Sequence, residues 1–180
     1  MNEIKTFELQ GLKHGIDVFI DGAAKIKRPE LVELGNYIAI DAFCYITTGL
    51  MTGNYIHIAT MTSIIGGKNA MLIMGDFCGL SAGTRIICAS DDFMNSISSP
   101  LIPDKFKVIK NKPVIMEGFN VVGTNGIVFP GVRMAIGSCL GAGAVLTKDT
   151  KPWMIYTGIP AKSYKMRDRD KILSDAKLIK

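Results

Sequence analysis

The sequence predicts an all-β chain wound into stacked triangular coils, with one protruding loop and a short helix near its end. Three observations predict it. Aliphatic residues recur every six positions. A small residue follows four positions after most of them. The core material is aliphatic and glycine-rich rather than aromatic, with 48% hydrophobic residues and 19 glycines but only 8% aromatics in 180 residues. A chain this apolar is not disordered, and its length suits one domain. Read from Met116, the period runs through Val122, Val128, Met134, Leu140 and Leu146. Asn120, Gly126, Val132, Ser138, Ala144 and Thr150 stand four positions on. A helix would need a period near 3.6 and an amphipathic strand a period of two. Six is the signature of a repeat fold.

The same frame appears earlier. Leu34, Ile40 and Ile46 fit, Ile58 and Ile64 follow after a short slip, and Met74, Leu80 and Ile86 fit again. Cys44, Thr62, Cys78 and Thr84 fill the small position, which gives Cys44 and Cys78 an ordinary role as small hydrophobes in a crowded interior. Each hexapeptide makes a short strand and a turn, its aliphatic residue pointing inward. Three hexapeptides close one coil of about 18 residues, and coils stack at a strand spacing of ~4.8 Å.

The frame divides the chain into an N-terminal segment over 1–20, coils over 20–150 and a C-terminal extension over 151–180. Residues 88–113 interrupt the coils with a polar, proline-bearing stretch whose length marks it as functional. After Thr150, Pro152, Gly158 and Pro160 mark an extended segment. A rough stripe of Met166, Leu173 and Leu178 predicts a helix over 163–178.

The net charge is +5, from 21 basic and 16 acidic residues. Seven of the basic and three of the acidic residues lie in 161–180, so the excess belongs to the tail. Without aromatic interleaving this does not make a nucleic-acid binder. Uncharged stretches are too short and glycine-broken to span a bilayer, and the start lacks the layout of a signal peptide. The four cysteines form no CxxC pair, so a zinc site is unsupported and reduced thiols in the cytoplasm are expected.

The run from 121 to 162 carries Pro130-Gly131-Val132, Leu140-Gly-Ala-Gly-Ala-Val, Thr147-Lys148-Asp149 and Gly158-Ile-Pro-Ala-Lys162. In this order and spacing, and with the repeats over 20–165, the chain resembles the hexapeptide-repeat acetyl-CoA-dependent sugar acetyltransferases. Ser90-Asp91-Asp92-Phe93 resembles a motif of the branch that modifies O-antigen and other surface polysaccharides. The resemblance implies a left-handed parallel β-helix and a homotrimer with acetyl-CoA bound between neighbouring prisms. It implies contacts with the coenzyme arm at Gly123, Gly141, Ala142 and Gly143. Thr147, Lys148, Ile159, Pro160 and Lys162 are expected toward its nucleotide end, with Lys162 and Lys165 near phosphates. Trp153 is expected to pack the tail onto the last coil.

Acyl transfer to a sugar needs a base for the acceptor proton. Many relatives use a histidine in the long loop, where this chain has Asp91-Asp92 instead. Of its two histidines, His14 precedes the repeats. His57 lies one residue before a repeat aliphatic, so it points outward onto a face that a neighbour can cover, and an imidazole suits the role of a base. Asp91 or Asp92 is expected to orient it or, with Ser90, to bind the sugar; each also suits a turn that caps nearby N–H groups. The expected reaction is acetyl transfer to a sugar hydroxyl. N-acetylation of a nucleotide-linked amino sugar is the alternative, since an amine needs less help from a base, and a non-catalytic assembly module is a third reading. A γ-class carbonic anhydrase shares the fold but needs three histidines for its zinc.

Overall fold

A computed structural model describes residues 9–99 and 101–179; residues 1–8 of the N-terminal segment lie outside the described part. Six triangular coils stack along one axis. The first is β1 (Lys13–His14), β2 (Val18–Ile20) and β3 (Lys25–Ile26). The second is β4 (Val32–Leu34), β5 (Ile38–Ile40) and β6 (Tyr45–Ile46), and the third β7 (Gly49–Thr52), β8 (Ile56–Ile58) and β9 (Ser63–Ile65). The fourth is β10 (Met71–Met74), β11 (Gly79–Leu80) and β12 (Arg85–Ile87). A two-stranded antiparallel ribbon, β13 (Ala89–Asp91) with β14 (Ile109–Asn111), then leaves the prism. The fifth coil is β15 (Val114–Met116), β16 (Val121–Val122) and β17 (Ile127–Val128), and the sixth β18 (Arg133–Met134), β19 (Cys139–Leu140) and β20 (Val145–Leu146). The strand β21 (Met154–Thr157) opens a seventh coil. First strands of successive coils pair in parallel to make one face, second strands a second face and third strands a third.

The interior follows from the period. Ile40, Ile46, Ile58, Ile64, Ile86, Val122, Val128 and Met134 have no accessible surface. The slip expected between Ile46 and Ile58 is absent. Thr52 occupies the frame position there, is buried, and accepts the Gly35 N–H at 3.1 Å. An aliphatic search passes over it because it is a threonine. The true insertion lies between Ile64 and Met74, where ten residues replace six.

The small position is also polar for a reason. Each coil turns there, and a short side chain can reach a carbonyl of its own turn or of a neighbouring coil and add a second donor to it or satisfy it. Thr84 Oγ1 donates to Ser81 O at 2.6 Å, and Cys44 Sγ lies 3.2 Å from Ala59 O. Asn120 is the most heavily used: Nδ2 donates to Ala135 O at 2.8 Å and to Ser138 O at 3.0 Å, and Oδ1 accepts the Gly118 N–H at 2.9 Å. Ser138 Oγ continues the column by accepting from Thr150 Oγ1 at 2.7 Å.

The corner between the first and second faces needs a residue at positive φ in each coil. Tyr37, Tyr55, Phe77, Phe119 and Trp153 adopt it, at 55–59°. Such a backbone costs bulky residues about 1–3 kcal/mol each. Stacking offsets part of that cost, because the corner aims every ring at the next coil. Successive ring centroids lie 4.8, 4.9, 4.9 and 5.9 Å apart. Gly137 is the exception that lets the ladder reach Trp153: a Cβ there would meet the indole at 2.4 Å. Trp153 is buried and packs the tail onto the coils as expected.

The tail differs from the predicted helix. Residues Lys162–Met166 form β22, which turns back antiparallel on β21 and extends the second face. The open edge of β21 offers that segment more backbone partners than a lone helical turn would. Arg167 fixes the fold-back: its N–H donates to Trp153 O at 2.8 Å, and Nη1 donates to Phe119 O at 2.6 Å and Gly137 O at 2.7 Å. Only then does α1 (Arg169–Ala176) begin, capped by Asp168, which accepts from the Lys171 N–H at 3.1 Å.

Candidate active site

Strand alternation decides which side chains the second face shows to the outside. Parallel pairing aligns Phe19, Ala39, His57, Gly79, Val121, Cys139 and Ile155 in one outward row. The fold-back adds Lys165 beside Ile155. At the corner toward the third face runs a second row, Asp21, Asp41, Ala59, Ser81, Gly123 and Gly141, each N–H donating to the coil above at 2.7–2.9 Å. Asp17, Phe19, Tyr37, Tyr55, His57, Phe77, Gly79 and Val121 line an open groove along this face.

His57 projects into that groove as its sequence position implies. Its partner is not Asp91 or Asp92: Nε2 lies 2.9 Å from Asp41 Oδ2, with the imidazole 58% and the carboxylate 36% exposed. Asp41 lies one coil below and two residues along, the spot an outward side chain of the neighbouring coil reaches. With the carboxylate ionised, Nε2 carries the hydrogen and Nδ1 is the free acceptor. Sequence reasoning missed Asp41; its signal is the position directly after a repeat aliphatic, one coil before His57.

The two loop aspartates separate. Asp92 is buried and holds the tip together: Oδ1 accepts from the Met94 N–H at 3.1 Å, and Oδ2 from Asn95 Nδ2 at 3.1 Å, with Lys110 Nζ also at 3.1 Å. The Asn95 hydrogen bond, then Lys110, holds its carboxyl below the usual carboxylate range. Asp92 is therefore an ionised structural anchor. Asp91 is half-buried on β13, opposite Ile109, and no hydrogen bond or ion pair occupies its carboxylate among the described residues. Ser90 Oγ donates to Asp91 O at 3.3 Å. The ribbon leaves the third face, so Asp91 and His57 of one prism stand on different faces.

The loop is less polar than its sequence suggests. Phe93, Met94, Ile97, Leu101, Phe106, Val108 and Ile109 are all exposed. They are scattered among serines, prolines and lysines, so no run announces them. Together they form an apolar arm that stays exposed among the described residues.

The residues expected on the coenzyme fall into two groups. A Cβ at Gly123 would lie 2.6 Å from Ala142 N, and one at Gly141 would lie 3.0 Å from Thr157 Cγ2. Packing of the next coil already requires glycine at 123, and it crowds position 141. Ala142 and Gly143 are exposed, and Gly143, at φ +66°, has open space where a Cβ would be. Thr147, Lys148, Ile159, Pro160, Lys162 and Lys165 are exposed at the same end. A cradle of bare backbone beside three lysines suits a long anionic co-substrate. No cluster of three or more His, Cys, Asp or Glu side chains among the described residues could hold a metal ion.

Burial pushes the Cys78 and Cys88 thiols up to about 12 and also raises Cys44 and Cys139. The reactive thiolate is therefore scarce at pH 8. Titration of the native protein with a disulfide reagent is expected to leave Cys78 and Cys88 unmodified over minutes, and denaturant to release all four thiols. Rapid native reaction at either buried site would contradict the packing described.

No family model matches the chain. It is 29% identical over 174 residues to a dTDP-4-amino-4,6-dideoxy-D-glucose acyltransferase of Escherichia coli, covering 94% of this chain and 89% of that one. It is 28% identical over 115 residues to a chloramphenicol acetyltransferase of Klebsiella aerogenes, 57% of this chain and 55% of that one. Among solved structures it matches AntD, an N-acyltransferase from Bacillus cereus, in complex with dTDP and 3-hydroxybutyryl-CoA. The TM-score is 0.87 and the identity 31%, over 94% of this chain and 90% of that one. A variant of AntD with dTDP-4-amino-4,6-dideoxyglucose and coenzyme A matches at a TM-score of 0.90 and 30% identity, over 97% and 94%. Other matched AntD structures carry substitutions at that variant's serine, or at an aspartate ten positions after it. With its coils, its outward site row and this likeness along nearly its whole length, the chain belongs to the hexapeptide-repeat acyltransferases and is an enzyme of their left-handed parallel β-helix fold.

Proposed function

We propose that this enzyme moves an acyl group from acyl-coenzyme A to the amino group of a nucleotide-linked amino sugar, with dTDP-4-amino-4,6-dideoxyglucose the acceptor to try first. One observation carries the reading. Ser81 and Asp91 stand ten positions apart, and no other serine in the chain is followed by an aspartate at that spacing. The same spacing separates the serine and the aspartate substituted in AntD. Ser81 had no signal in the sequence alone, because a serine after a repeat aliphatic reads as an ordinary turn residue. The amine acceptor, the alternative in the sequence reading, is preferred to the sugar hydroxyl because the Escherichia coli relative is a dTDP-4-amino-4,6-dideoxy-D-glucose acyltransferase and AntD is an N-acyltransferase that binds dTDP-4-amino-4,6-dideoxyglucose.

Bound acyl-coenzyme A supplies the activated carbonyl. The sugar nitrogen attacks it, the C–N bond forms, the C–S bond breaks, and the thiol leaves with a proton. Asp91, with an unoccupied carboxylate, takes the proton from the nitrogen. Ser81 Oγ, beside the site row, donates to the acyl oxygen as negative charge develops there. Lys162 and Lys165 steady the phosphates, with Thr147, Lys148, Ile159 and Pro160 around the nucleotide and Ala142 and Gly143 against the arm.

Asp91 and Ser81 flank opposite corners of the third face, so one site takes Ser81 from one prism and Asp91 from the next. The apolar loop arm packs against that neighbour, and three copies close the ring as a homotrimer. The reaction runs in the cytoplasm, where acyl-coenzyme A is available.

Binding tests this directly. Coenzyme A and dTDP are each expected to raise Tm, since a ligand at a hundred times its Kd stabilises the native state by about 2.7 kcal/mol. No shift with either at millimolar concentration would overturn the reading.

A further inference from the structure

We infer that a notch over Gly79 receives the tail of the transferred acyl group, so that Gly79 sets the acyl chain length this enzyme accepts. The inference rests on the acyl-coenzyme A reading above and adds the specificity of the donor.

Gly79 is the single glycine in the outward row of the second face, between His57 on one coil and Val121 on another. A Cβ built on it meets nothing within 4 Å. Its φ does not fall in the left-handed region, so the backbone does not demand glycine. Crowding excludes a side chain at Gly35, Gly53, Gly75 and Gly123, where a Cβ would lie under 3 Å from another atom. None of these reasons applies to Gly79. A glycine with neither excuse, in the floor of a groove, leaves a gap bounded by His57, Phe77 and Val121.

The gap lies where an acyl tail would end. Gly79 is two residues before Ser81 and so points to the same side of the strand. From Lys165 to Gly79 the row climbs four strand spacings, about 19 Å, the reach of an extended pantetheine arm whose phosphates lie at the lysines. A thioester carbonyl at Ser81 then aims its alkyl chain across the strand into the Gly79 notch. Apolar walls at Phe77 and Val121 favour methylenes over water.

The test compares wild type with Gly79→Val, which fills the notch and leaves the backbone unstrained. Isothermal titration measures free coenzyme A, acetyl-coenzyme A and butyryl-coenzyme A. Each buried methylene is expected to tighten binding by about fourfold. Wild type should therefore bind butyryl-coenzyme A on the order of tenfold more tightly than acetyl-coenzyme A. Gly79→Val should erase that difference while free coenzyme A binds unchanged and Tm holds. With dTDP-4-amino-4,6-dideoxyglucose as acceptor, the ratio of butyryl to acetyl kcat/KM should fall by the same factor. Equal wild-type affinities for the two thioesters, or a butyryl advantage that survives the substitution, would overturn the inference. Binding of the thioesters without any transfer to the amino sugar would overturn the proposed acceptor and leave the notch standing.

Discussion

Asp91→Asn is expected to lower kcat/KM for acyl transfer by roughly 10²–10⁴-fold, the range of a lost general base, with Tm and coenzyme binding unchanged. The expectation follows from how differently the two adjacent aspartates are held. Asp92 is buried among the Met94 N–H, Asn95 and Lys110, so Asp92→Asn should loosen the loop tip, visible as faster proteolysis within 93–109. Among the described residues nothing pairs with the Asp91 carboxylate, so its removal should cost chemistry and not structure. His57→Ala is expected to lower kcat/KM by less than Asp91→Asn. A His57 variant as impaired as Asp91→Asn would move the base role to the His57–Asp41 pair, 2.9 Å apart. Because Ser81 and Asp91 come from different copies in the proposed trimer, co-expressed Ser81→Ala and Asp91→Asn chains should form mixed trimers that regain activity. Mixtures as inactive as either variant alone would contradict the shared site.

The largest stability effect is expected from Asn120→Ala, about 3–5 kcal/mol, read as a lower denaturant midpoint at unchanged slope. Asn120 has no accessible surface. Its loss leaves a cavity between the fourth and sixth coils. It also strands the Gly118 N–H and the Ser138 carbonyl, at about 1–3 kcal/mol for a buried group without a partner, while the Ala135 carbonyl keeps the Ser138 N–H at 3.0 Å. Ser138→Ala removes one shared hydroxyl and should cost less, about 1–2 kcal/mol. Equal losses for the two variants would mean that the column does not centre on Asn120.

These residues also mark what was legible in the sequence. The coils were, because a buried aliphatic every sixth residue is a packing requirement that leaves a trace at each turn. Thr52 shows the limit of that trace: it satisfies the same geometry with a hydroxyl and hides in an aliphatic search. The tail strand was not legible, since Lys162–Met166 takes its pairing from the open edge of β21, a partner that exists only once the coils have formed. Nor was the proposed site as a whole. His57 and Asp91 stand out through their chemistry, as outward or loop-borne titratable groups. Asp41 and Ser81 belong to a row that parallel stacking assembles from residues 40 positions apart. Asp91 and Asp92 look alike in the sequence, and only the burial of Asp92 separates them.

The most direct measurement is the product of one reaction. Acetyl-coenzyme A and dTDP-4-amino-4,6-dideoxyglucose are incubated with the enzyme, and the sugar nucleotide is analysed by mass spectrometry before and after neutral hydroxylamine, which cleaves esters and spares amides. The account predicts a single acetyl group on the sugar, one free thiol released per acetyl, and survival of the adduct. An acetyl group lost to hydroxylamine, or thiol release only with sugars that have no amine, would contradict it.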